Sequence, residues 1–232
     1  MRRSTFKTGL LGLSLGAVIA VGGLSACSNS AQNSTSNQSP TATGSPMAGM
    51  PGMDHSNMNG MMMNMDLGPA GAEYDLRFID AMRLHHRGAI EMAKEAQQKS
   101  KRPEIQSLAQ NIIVTQNREE NELMAKWRKQ WYPDAPESFV AYNSQQNKSM
   151  PMSQQQKDSM AMNMDLGAAD EQFDLRFMNA MISHHEGAIS MAKDALQKSK
   201  RPEIQKLAQE ISTSQQKEID QMKQWRKAWY NQ

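Results

Sequence analysis

Thiols are nearly missing from this chain: among 232 residues the one cysteine is Cys27. An internal disulfide framework is therefore excluded. Leu24-Ser25-Ala26-Cys27 has the form of a bacterial lipobox, which makes Cys27 a lipid attachment point rather than a catalytic thiol. A surplus of basic charge is missing as well. The formal net charge is +2, and setting aside Arg2, Arg3 and Lys7 leaves 23 Lys+Arg against 24 Asp+Glu. No nucleic-acid footprint is expected, since that requires a clustered basic excess. Long apolar runs are confined to residues 10–24, a stretch too short and too glycine-rich for a membrane span. With the basic residues before it, residues 1–27 read as an export signal, of lipoprotein type or, with an incidental cysteine, a plain secretory one. Either form takes the protein out of the cytoplasm, to a periplasmic or other extracytoplasmic location. Contact with a membrane is expected only through a lipid on Cys27.

Residues 28–64 read as a tether. Its first part is Ser, Asn, Gln, Thr and Pro, with too little apolar surface to offset chain entropy. Over 47–65 the character changes, with eight methionines in nineteen residues and no Leu, Ile, Val or aromatic side chain among them. Burial does not account for such a segment. Thioether sulfur is a soft donor that favours Cu(I) or Ag(I) over hard cations, and Met47-x-x-Met50-x-x-Met53 or Met61-x-Met63-x-Met65 lets a mobile chain fold several sulfurs around one ion. The other readings are a low-complexity spacer and a sacrificial oxidation sink.

An internal repeat organises the rest. Residues 65–132 match 164–230, with one residue missing late in the second copy. In the first copy Tyr74, Phe78, Ala81, Met82, His85, Ala89, Met92 and Ala96 recur at helical spacing and predict an amphipathic helix. Pro103 suits the first turn of a second helix, whose stripe runs Ile105, Leu108, Ala109, Ile112, Gln116, Glu119, Leu123, Trp127, Trp131. The tryptophans are expected to plug the core. Each repeat (65–132, then 164–232) is an antiparallel helix hairpin that cannot bury its own stripe. Two together close an all-α four-helix bundle. The linker 133–163, with its own methionines, is long enough to return at the same end or to cross the bundle, and the sequence does not choose.

Four of the five histidines fall in Met82-Arg-Leu-His85-His86 and Met181-Ile-Ser-His184-His185, ninety-nine residues apart. Counted from the hairpin turn, these pairs lie level with Gln116 and Glu119, and with Gln215 and Glu218. Each hairpin should therefore carry a polar layer in an apolar seam. Buried polar groups are costly unless partnered, so the layer is either a hydrogen-bonded register lock or a metal site. In the lock, Glu119 accepts from a histidine and Gln116 satisfies the rest. In the metal site, Met and His bind the ion while the glutamate orients an imidazole.

The unit Phe-x-x-Ala-Met-x-x-His-His-x-Gly-Ala-Ile-x-Met-Ala, then Lys-Arg-Pro-Glu-Ile and Gln-x-x-Glu-Ile-x-x-Met-x-x-Trp, resembles a ferritin-like four-helix domain family, formerly of unknown function and often encoded beside copper-handling genes. Two copies with methionine-rich flanks are similar to the cyanobacterial periplasmic copper metallochaperones. The resemblance implies Cu(I) and Ag(I) binding in copper tolerance, storage or transfer to a copper efflux or copper-using protein, without enzyme activity. Two departures stand out: Glu119-Glu120 replaces the Glu-Ile step, and the extra residue moves Met124 off the register of Met222.

The candidate ligands are Met47, Met50, Met53, His55, Met58, Met61, Met63 and Met65 in the tail. In the repeats they are Met82, His85, His86, Met92 and Glu119, then Met181, His184, His185, Met191, Glu218 and Met222. Two other functions fit the same fold. A di-iron oxidase would need Glu-x-x-His on inward faces, where this chain has Met82 and Met181 at the glutamate position. A structural interaction module would use the polar layers only for register.

Overall fold

The stripe from Tyr74 to Ala96 forms one helix, α1 (Tyr74–Lys99), with Asp75 in its first turn and Lys99 in its last, as the helix dipole favours. The structure, a computed structural model, describes residues 66–232. The expected export signal 1–27, the tether 28–64 and the methionine-rich stretch 47–65 with His55 lie outside the described residues. After α1 come α2 (Pro103–Asn117), a π-helical stretch (Arg118–Met124) and α3 (Ala125–Trp131), which together form one rod. A hairpin of β1 (Val140–Asn143) and β2 (Lys148–Pro151) follows, then α4 (Gln154–Ala161), α5 (Phe173–Lys198) and α6 (Pro202–Tyr230). None of the described helices is long and apolar enough to cross a membrane.

Both hairpin turns are made the same way. Ser100 leaves α1 extended, its Oγ accepts from Arg102 N at 3.1 Å, and its carbonyl accepts from Gln106 Nε2 at 2.8 Å. Ser199, Arg201 and Gln205 repeat the pattern at 3.2 and 2.9 Å. A proline then opens each returning helix, where its missing N–H is not needed.

α1 and α5 pack antiparallel, and their ends are tied reciprocally. Tyr74 Oη donates to Asp194 at 2.8 Å and Lys198 to Gly68 O at 3.0 Å, while Lys99 donates to Gly167 O at 2.6 Å. The ion pairs Arg201–Asp75 (3.2 Å) and Arg102–Asp174 (3.3 Å) are likewise interchanged. The two hairpins thus form a four-helix bundle with pseudo-two-fold symmetry.

This arrangement decides the path of the linker. The first hairpin ends at Trp131, level with the start of α1, but α5 must begin beside Lys99, so the linker crosses the whole bundle along α1. Asp80 fixes its beginning: fully buried, it accepts from Val140 N (3.0 Å) and pairs with Arg128 (2.6 Å), whose guanidinium also donates to the carbonyls of Pro136 and Ser138. Arg77 holds β2 through Ser149 Oγ at 3.0 Å. A Cβ on Gly68, whose φ is +74°, would overlap the ring of Tyr142, so the hairpin lies directly on that turn.

Two details differ from the sequence-based expectation. The π-helical stretch absorbs the extra residue of the first copy, because a π turn takes one more residue than an α turn. Met124 therefore returns to the seam and is fully buried, as Met222 is, while Leu123 is only partly buried. The tryptophans are not core plugs. Trp127 stacks on Trp131 and Trp225 on Trp229, all part-exposed, with Arg201 over Trp131 and Arg102 over Trp229 at 4.3 Å.

Candidate metal centre

The buried apolar residues form two clusters, one at each end of the bundle. Along the rods the change from one cluster to the other falls at the polar residues, with Ile189 on α5 the one exception: His85 and His86 on α1, Gln116 and Glu119 on the second rod, His184 and His185 on α5, Gln215 and Glu218 on α6. The layers of the two hairpins therefore merge into a single layer at mid-height.

Adjacent helical residues point about 100° apart, at 3.6 residues per turn, so the two histidines of a pair face different neighbours. The first faces the other hairpin: the rings of His85 and His184 lie 3.7 Å apart between centroids, tilted by 52°. The second faces its own hairpin. His86 Nε2 lies 2.7 Å from Glu119 Oε2, and His185 Nε2 lies 2.6 Å from Glu218 Oε2.

All four imidazoles are fully buried. Among the described residues Nδ1 of each has no hydrogen-bond partner, nor has Nε2 of His85, nor Oε1 of Gln116 and Gln215. The register-lock expectation therefore holds only for the His–Glu pairs, since Gln116 does not satisfy the remaining nitrogens. His184 Nε2 is 3.1 Å from the Ala161 carbonyl, which can only accept, so Nε2 carries the proton and Nδ1 keeps a lone pair. By the same reasoning a carboxylate accepting from Nε2 of His86 or His185 leaves Nδ1 free. Burial, reinforced by the neighbouring histidines, pushes His85 well below the usual imidazole range and lowers His184 to about 3. Both are neutral at physiological pH, the form that ligates metals.

Methionines flank the layer on both sides. Met82 and Met181, each one turn before its histidine pair, are fully buried. Met82 and Met191 share one cluster with Met124, and Met92 and Met181 share the other with Met222. Each side of the layer thus draws methionines from both repeats. Among the described residues no three His, Cys, Asp or Glu side chains converge as a metal-binding group. An ion in the layer would need thioether sulfur beside imidazole nitrogen, a donor set for Cu(I) or Ag(I) rather than for hard cations.

The copies are not equivalent. Glu120, standing where the second copy has Ile219, is buried and paired with Arg87 at 2.6 Å and Arg83 at 3.8 Å. The side chain of Glu119 is 6% exposed and that of Glu218 is 22%. Sequence reasoning leaves Met124, whose signal is the inserted residue itself, out of the candidate ligands, and reads Met152, Met160 and Met162 in the linker only as a weaker echo of the methionine-rich tail; all four are buried.

A profile of the family described as a domain of unknown function (DUF305) matches residues 28–123 and 75–226. Among solved structures the chain is similar to CopM in the Cu(I)-bound form, with 37% identity, a TM-score of 0.52, and coverage of 67% of this chain and 97% of that one. CopM in the Cu(II)-bound form is similar at 40% identity and a TM-score of 0.54, and in the Ag-bound form obtained by soaking at 38% and 0.52, with the same coverage. A curated relative, the uncharacterized protein L153 of Acanthamoeba polyphaga mimivirus, is 45% identical over 49 residues, which span 21% of this chain and 32% of that protein.

Proposed function

This chain belongs to the DUF305 family, and from that premise we propose that it is an extracytoplasmic binding protein for Cu(I) and Ag(I), a metallochaperone or store rather than an enzyme. The observation that carries the reading is the central layer. The neutral imidazoles of His85 and His184 and the buried Nδ1 atoms of His86 and His185 are unpartnered between two methionine-bearing clusters, a costly arrangement for a core unless those nitrogens have a ligand. Similarity to CopM, whose structures include Cu(I)- and Ag-bound forms, supports the same donor chemistry.

Within this reading Nδ1 of His86 and His185 and a nitrogen of His85 or His184 supply the harder donors, and Met82, Met124, Met181 and Met222 supply sulfur. Glu119 and Glu218 hold Nε2–H and so aim Nδ1 at the ion. Met92 and Met191 line the clusters behind. The tail methionines Met47 to Met65, with His55, take up the ion first, and residues 1–27 account for export. Copper passes onward to an efflux or copper-using protein.

A Cu(I) titration of the mature protein against a competing chelator tests this. Removal of 47–65 should lower the stoichiometry, and replacing His85, His86, His184 and His185 by Leu should abolish the tight remainder. Unchanged binding in the four-histidine variant would overturn the bundle site, and unchanged stoichiometry without the tail would remove the tail from the pathway.

A further inference from the structure

The four imidazoles of the layer are fully buried, so an ion needs a way in to them, and one wall of the layer differs from the others. At Gly88 α1 carries no side chain. A Cβ there would overlap the Ala161 carbonyl oxygen and come within 3.2 Å of His184 Nε2. Gly88 thus opens a window in α1 through which His184, from α5, reaches the linker on the far side. The Ala161 carbonyl fills that window at 3.1 Å. Ala161 is itself only partly buried, so a single residue separates His184 from water.

The linker is held unevenly. Its first part is clamped by Asp80, Arg128 and Arg77, and its last part by Arg176 on the carbonyls of Leu166 and Ala168 and by Lys99 on Gly167. Between the clamps, over 153–164, the buried side chains are Met160 and Met162. The remaining side chains of α4 are exposed or only partly buried, and Met162 closes the helix at φ +48°, a conformation of higher energy for a residue with a side chain. Met160 packs into the cluster that holds Met82 and Met124.

We propose that residues 153–164 form the exchange gate of the histidine layer: a strap, seated by Met160 and Met162, that lifts off the Gly88 window and uncovers His184 and His85. The inference rests on the Cu(I)/Ag(I) reading above. Fixed clamps on both sides let the strap open without unfolding the bundle, and the groups that seat it are themselves soft-metal donors.

The test compares the mature protein with M160S/M162S and with a chain in which 153–164 is a Gly/Ser segment of equal length, both checked for helix content. Two readouts are taken. The first, on metal-free protein, is the rate of carbethoxylation of His184 and His85 by diethyl pyrocarbonate, mapped by mass spectrometry. The second is the rate at which bound Ag(I) is lost to an excess chelator. Both rates should rise at least tenfold in both variants with the bundle still folded. Folded variants that bind Ag(I) with rates unchanged from the parent would overturn the gate and leave the binding function standing. Faster carbethoxylation in a protein that binds no Ag(I) would overturn the binding function and, with it, the exchange role of the strap.

Discussion

His85 and His184 are the residues on which the chemistry of the layer depends, and their environment dictates a pH response. In the unfolded chain each takes a proton near pH 6.5, whereas in the bundle burial keeps them neutral to far lower pH, about 3 for His184. The unfolded state therefore binds more protons across that interval. The stability they contribute is complete above pH 6.5 and declines as pH falls below it, by up to about 1.4 kcal/mol per pH unit for each group. Thermal unfolding should show Tm falling from pH 6.5 to 4.5, and H85L/H184L should flatten the curve. A Tm that stays level in the parent protein would contradict the burial of neutral imidazoles. A second expectation concerns the carboxylates. E119Q and E218Q replace the charged carboxylate that orients Nδ1 by a neutral amide, whose oxygen is a weaker acceptor, and should each weaken Ag(I) affinity by about 10- to 100-fold, measured by competition. Equal affinity in both variants and the parent would leave the glutamates a purely structural part.

Among the elements, the π-helical stretch shows how one inserted residue is tolerated. A plain insertion in an α-helix rotates everything after it by about 100°, which would have turned Met124, Trp127 and Trp131 away from α1. Placed in a π turn, it leaves the register after Met124 equal to that of α6. Removing Asn121 should convert the stretch to regular α-helix with Met124 still buried. The deletion variant should keep its helix content and its Tm to within a few degrees. A large drop in Tm would show that the π turn has a packing role of its own. The sequence identified both copies and their missing residue, and it placed Glu119 and Glu218 level with the histidines. It could not place Met124, since an insertion is equally compatible with a rotated helix end, a loop or a π turn. Contacts with α1 choose among them.

For the whole molecule, the linker is what turns two hairpins into one enclosed layer. Asp80, fully buried and pushed up by desolvation though held down by Arg128, fastens it to α1. D80A leaves Val140 N–H without its acceptor and the part-buried Arg128 guanidinium without its counter-ion, and should cost on the order of 3–5 kcal/mol, read as a shift in denaturant midpoint. A near-neutral result would mean that the linker is seated mainly by its methionines. Hydrophobic periodicity and the repeat were enough to determine four amphipathic rods, their pairing into hairpins and the height of the polar residues, because these follow from local spacing. Only the tertiary structure decided that the two hairpins pack antiparallel, that His85 meets His184 while His86 and His185 turn to glutamates, and that the linker crosses the bundle to cap His184. Those outcomes depend on which helix faces which, and the free energy that selects them comes from contacts between residues far apart in the chain.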